Sequence, residues 1–163
     1  MLKNNQKGFS LLGVIAAVFI ISIGLVGILS LASFSIKSAS VSEMRLIASG
    51  LAQEGIEIVR SVRQLNSNWD EWQWYSGAIA TSSSQSYLVQ YNYSLLLSFS
   101  EIPLKLDTNG FYQYDSGDNS PFYRKITLTK ISYSEVKAII EVKWQIKDQW
   151  QYLTLEERLW QWK

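Results

Sequence analysis

The sequence predicts an α+β fold. A long N-terminal α-helix, its first half apolar enough to cross a membrane, packs on a small antiparallel β-sheet. Three observations predict it. No charged residue occurs among the 28 positions from Phe9 to Ile36. From Val41 to Val62 apolar side chains recur every three or four residues, the period of one helix face. From Arg124 to Leu159 they recur at every second residue instead, the period of a half-buried strand. An amphipathic helix and a one-sided sheet each need cover for their apolar side, and a chain of 163 residues offers one modest domain in which they cover each other.

Residues 1–8 form a basic leader, with Lys3 and Lys7 ahead of Gly8. Residues 9–36 exceed the roughly 20 apolar positions that a helix needs to cross a bilayer core. The two leader lysines stay on the cytoplasmic side under the positive-inside rule, so everything after the span is expected outside. Residues 37–65 continue the helix as an amphipathic segment. Val41, Met44, Ala48, Leu51, Gly55, Ile58 and Val62 make its apolar face, and Glu57 stands three residues before Arg60, near enough to pair on an exposed face. No proline precedes Pro103, so nothing forces a break. At the standard rise a helix from Phe9 to Leu65 is about 85 Å long. Gly24, Gly27 and Gly50 permit bending or the close approach of a packed helix.

Residues 66–163 read as a β-rich head. It opens on an aromatic cluster, Trp69, Trp72, Trp74 and Tyr75, followed by a polar loop from Thr81 to Ser86. Aromatic rings among polar side chains suit a ligand surface for sugars or bases. They equally suit a wedge between helix and sheet, or contacts with neighbouring subunits, and Trp160 and Trp162 face the same choice. Leu104–Asp107 and Phe111–Tyr114 flank Thr108-Asn109-Gly110, a hairpin signal because Asn and Gly both tolerate positive φ. Three strands follow: Arg124 to Ile131, Val136 to Ile146, and a third through Leu153, Leu155 and Leu159. Tyr133-Ser134 and Lys147-Asp148-Gln149 turn the chain between them. Such short connections make the strands antiparallel neighbours. One face packs on the helix, and the other carries Lys143, Gln145, Thr154, Glu156 and Arg158.

The N-terminal segment admits three readings. A secretory signal peptide has an apolar core of about 7–15 residues, roughly half the run here, although Ser33, Ser35, Ser38 and Ala39 supply small residues beyond it. A plain single-span anchor is the second. In the third, cleavage falls between Gly8 and Phe9 and leaves the apolar helix on the mature chain. Lys7-Gly8-Phe9-Ser10-Leu11-Leu12, running into an apolar helix, resembles the prepilin processing site of type IV pilins and pseudopilins. The resemblance implies that prepilin peptidase cuts after Gly8 and methylates Phe9, and that Ser10, Leu11, Leu12 and Gly13 begin the assembly helix. Ile23–Gly27, Leu51–Arg60 and the stretch from Val142 to Trp162 are similar to minor pilins of the PilV-like type, whose pilin-like fold agrees with the α+β layout. The family usually carries a glutamate where this chain has Gly13, thought to pair with the terminal amine of a neighbouring subunit. A lone carboxylate in the bilayer costs at least about 2.5–3.5 kcal/mol. A subunit with no neighbour above it has nothing to pair with that acid, so Gly13 points to a minor, priming or tip subunit; drift in a tolerant minor subunit is the other explanation.

Cleavage after Gly8 moves the formal charge from +1 to −1, because Lys3 and Lys7 leave with the leader. A chain without a basic block is not built for nucleic-acid binding through phosphates. With no histidine and no cysteine, the usual triads and most zinc sites are excluded, and an exported chain relies on packing or on its neighbours in place of disulfides. Asp107, Asn109, Asp115 and Asp118 do not match an EF-hand spacing, and a hairpin with a surface turn explains them without calcium. No enzymatic activity and no cofactor is expected. The expected partners are other pilin subunits through the N-terminal helix, prepilin peptidase, and the cytoplasmic membrane before assembly into an extracellular filament. The alternative is a single-span anchored protein whose aromatic head binds a ligand.

Overall fold

The computed structural model describes residues 11–65, 83–92, 96–132 and 134–160. Helix α1 spans Leu11–Leu65, and eight strands follow. They are β1 (Ser84–Leu88), β2 (Leu97–Ser98), β3 (Lys105–Leu106), β4 (Tyr112–Gln113), β5 (Asp118–Asn119), β6 (Tyr123–Ser132), β7 (Glu135–Ile146) and β8 (Gln149–Trp160). The expected layering of a long helix with an antiparallel sheet is therefore present. The chain divides into two compact units, residues 1–43 and 44–163. In the first, the described residues 11–43 are helical throughout, and none of the apolar stretch is buried.

In the second unit a five-stranded sheet has the order β2-β1-β6-β7-β8, every pair antiparallel. Strict alternation sets which side chains turn inward. Ile126 and Leu128 on β6, and Val136, Ala138, Ile140, Val142 and Trp144 on β7, are buried. They join Ala48, Leu51, Ala52, Ile56, Ile58, Val59 and Val62 of α1 in one apolar cluster. The helical stripe is thus wider than a simple three-four count gives, since Ala52, Ile56 and Val59 are buried as well. Gly55 faces the sheet so closely that a β-carbon there would lie 3.2 Å from Ile140 Cγ2 and 3.4 Å from Arg124 Cδ.

Arg124 takes an inward position of β6, and its side chain is wholly buried. One guanidinium nitrogen donates to the Leu51 carbonyl at 3.1 Å, and the other to the Val89 carbonyl at 2.7 Å. The first also lies 3.3 Å from Glu54 Oε1, which makes an ion pair without hydrogen-bond alignment. A buried cation needs such partners, because an uncompensated charge in the interior costs several kcal/mol, roughly. Arg124 thereby ties α1, β6 and the end of β1 at one point.

The small sheet has the order β4-β3-β5. Two backbone bonds of 2.8 Å, Leu104 N–H to Phe122 and Ser120 N–H to Leu104, lead it into β6. Gln90, fully buried, accepts from the Tyr114 N–H at 2.6 Å and donates to Asp115 at 2.6 Å.

Three expectations need correction. The polar loop expected from Thr81 to Ser86 gives way at Ser84 to strand β1, paired with β6 from Ser84↔Thr129 to Tyr87↔Ile126. Its polarity is that of an outer sheet face: Ser84 and Ser86 hydroxyls meet Thr129 and Thr127 at 2.7 and 3.2 Å. The Asn109-Gly110 hairpin forms, but only Gly110 has positive φ, at 87°. Gly110 N–H bonds the Asp107 carbonyl, closing a three-residue turn with the glycine last. The turn with two positive-φ residues is Lys147-Asp148 (φ 45° and 62°), so Gln149 belongs to β8.

Candidate functional site

The first described residues of the expected assembly segment are Leu11, Leu12 and Gly13, in the opening turn of α1. Gly8, Phe9 and Ser10 lie outside the described residues, as do Trp69, Trp72, Trp74 and Tyr75. Leu11 and Leu12 are 76% and 78% exposed, and every large apolar side chain onward to Ile36 is exposed on all sides of the helix. A helix that is apolar all round is one built for lipid or for the interior of a helical bundle. Its length and composition suffice to cross a membrane. Ser22, inside the apolar stretch, donates its hydroxyl to the Val18 carbonyl at 2.8 Å, which satisfies its own polar hydrogen within the helix.

Gly13 would meet nothing within 4 Å if it carried a β-carbon, and the same holds at Gly24, Gly27 and Gly50. No described part of the chain therefore requires a glycine at these places. The first turn holds no acidic residue.

Of the four residues in the calcium alternative, Asp107 is already engaged. Its Oδ1 accepts from the N–H groups of Asn109 and Phe111 at 2.9 and 2.8 Å, and its Oδ2 from the Gln113 amide at 3.3 Å. This is the ordinary work of an aspartate at the head of a turn.

A second cluster, unexpected from the sequence, lies on the outer face of the sheet. Register places Tyr123, Lys143 and Tyr152 side by side across β6, β7 and β8. The Lys143 ammonium stands 4.6 Å from the Trp150 ring centre and 5.3 Å from that of Tyr123, and it pairs with Glu101. The hydrogen bond from Lys143 holds the Glu101 carboxyl below the usual carboxylate range and raises the lysine in turn. Alternation did mark Lys143 as outward. It could not supply Glu101 or Trp150, which arrive from a distant loop and from the start of β8, just beyond a turn two residues tight.

Residues 3–29 match the prokaryotic N-terminal methylation motif. No curated protein and no solved structure matches the chain. An exposed apolar helix that begins inside this motif, on a chain of one long helix and antiparallel sheets, has the layout of a type IV pilin-like protein. The motif is the prepilin signal of that class and marks a chain for prepilin peptidase.

Proposed function

We propose that this chain is a minor subunit of a type IV pilus or pseudopilus. Cleavage falls between Gly8 and Phe9, Phe9 is methylated, and the apolar segment that follows enters a filament of related helices. The observation that carries this is the methylation motif running without interruption into a helix whose apolar side chains are exposed on every side. Fully burying one such side chain is worth about 1.5–3 kcal/mol, so the segment is driven out of water, first into lipid and then among neighbouring helices. Extraction from the membrane then loses little, because one apolar surrounding replaces another.

Gly13 supports a priming or tip position, as a subunit with nothing above it has no amine to pair a carboxylate. Secretion, adhesion, motility and DNA uptake all use this architecture. The test is the terminal peptide of the membrane-extracted protein, by intact mass with and without prepilin peptidase. A chain beginning at methylated Phe9 is the expected result. A chain still beginning at Met1 with the peptidase active would leave a single-span anchored binding protein instead. Position in the filament is read separately, with Gly13→Glu, whose β-carbon would meet no described atom within 4 Å. It should redistribute a labelled subunit from filament ends to positions along the shaft; unchanged placement would remove the tip reading.

A further inference from the structure

The outer face of the sheet is polar along most of β1 and β6, with Ser84, Ser86, Thr127 and Thr129 bonded in pairs. At the end marked by the β7–β8 turn it changes character. Trp150 is 42% and Tyr152 59% exposed, side by side with the partly buried Tyr123. The Tyr123 and Trp150 rings meet edge-on at 5.7 Å and 77°, and the lysine ammonium described above stands over both. The aromatic surface is thus held in place before any ligand arrives, which is what lowers the ordering cost of binding. Next to it opens a cleft of about 420 Å³, in which Ser120, Gln145, Lys147 and Asp148 stand around Tyr123 and Trp150. That size falls within the range of small-molecule sites, about 300–1,000 Å³.

The turn itself adds a separate observation. Lys147 and Asp148 both hold positive φ, where Asn-Gly is the favoured pair. Side chains kept at a strained backbone position point to a use for those side chains.

We propose that this cleft binds an uncharged oligosaccharide, with a sugar ring laid against Trp150 and its hydroxyl rim bonded by Gln145, Ser120, Lys147 and Asp148. The chemistry of the cleft selects that class. Lys147 and Asp148 balance in charge, and the other lysine is closed by Glu101, so no net field draws an ion. A wholly apolar ligand would strand four polar side chains against it. The rim offers an amide and a hydroxyl that both donate and accept, one pure donor and one pure acceptor. What remains is a neutral molecule with a flat apolar face and many hydroxyls. This site is independent of the fate of residues 1–8.

The test uses the full chain in detergent against neutral oligosaccharides of glucose, mannose, galactose and N-acetylglucosamine, three to six units long, by titration calorimetry. Sialylated and sulfated chains are included. At least one neutral series should bind. Trp150→Ala should weaken it ten-fold or more. The double change Lys147→Asn with Asp148→Gly should weaken it comparably while raising the thermal midpoint, since the new pair suits the turn. No binding by any neutral series, stronger binding of the charged chains, or full binding by the turn variant would each overturn the proposal.

Discussion

Arg124 is the residue on which most of the second unit converges, and its surroundings make sharp expectations. Truncation to alanine removes a buried cation, leaves Glu54 half of a broken pair and opens a cavity. We expect Arg124→Ala to destabilise by about 3–5 kcal/mol in denaturant unfolding. Glu54 is about one-third exposed, so its loss should cost less, about 1–2 kcal/mol for Glu54→Gln. The double variant should fall short of the sum by at least about 0.5 kcal/mol; strict additivity would mean that the two side chains do not interact. Tyr114 adds a pH dependence. Its hydroxyl donates to the Arg124 carbonyl at 3.3 Å, and burial raises its phenol above the ordinary value, against a smaller opposing pull from Arg124. Free tyrosine ionises near pH 10, roughly. The group therefore contributes its full stability below that pH and loses it as pH rises toward the folded value. Tyr114→Phe should flatten the loss of stability above pH 10, measured by alkaline unfolding; an unchanged slope would refute this.

Among elements, the packing of α1 on the sheet rests on Gly55, and a pair of glycine substitutions tests it. Gly50, on the same helix, has open space where a side chain would go. Gly50→Ala should therefore stabilise by about 0.5–1 kcal/mol through helix propensity alone. Gly55→Val should cost about 1–3 kcal/mol, because Ile140 and Arg124 already fill the place of its side chain. Equal effects in thermal unfolding would show that the close approach is absent. These two glycines also illustrate how far the sequence could be read. Both lie in a good helical pattern, and only Gly55 falls on its apolar face. The alternation through β7 was legible for the same reason: its buried residues are apolar without exception from Val136 to Trp144. Strand β1 was not legible, because its first three residues, Ser84, Gln85 and Ser86, are polar whichever face they take, and its buried Tyr87 and Leu88 come only at the end. The inward place of Arg124 could have been read from its spacing with Ile126 and Leu128. Its three partners could not, since they come from chain segments 35 to 73 residues away. The outer aromatic cluster was hidden for a like reason, since Trp150 enters it by way of a turn whose conformation the residue types disfavour.

For the whole molecule, every buried side chain among the described residues lies between Ala48 and Leu159. The exposed apolar side chains of the helix are concentrated before Lys37. A chain beginning at Ser38 thus retains the entire core and sheds the segment that water rejects. It should be soluble and monomeric by size-exclusion chromatography and unfold cooperatively, whereas the full chain needs detergent. Aggregation of the shortened chain would count against the packing of helix on sheet and leave the N-terminal motif untouched.

The ion pair between Arg60 and Glu157 joins residues 97 positions apart. Synthesis delivers the helix first and the strand that completes its cover almost a hundred residues later. During that interval the apolar stripe from Ala48 to Val62 has no sheet to rest on, while the segment before it is already suited to lipid. Loop closure of that span must be met before the contacts repay it, which slows folding. The helix is therefore complete before the head is finished, and the chain passes through a stage in which its apolar stripe is uncovered and its strands are still unpaired. In that stage it is most open to proteolysis, and a brief protease pulse during refolding of a chain beginning at Ser38 should cut it before, but not after, Leu159 has taken its place.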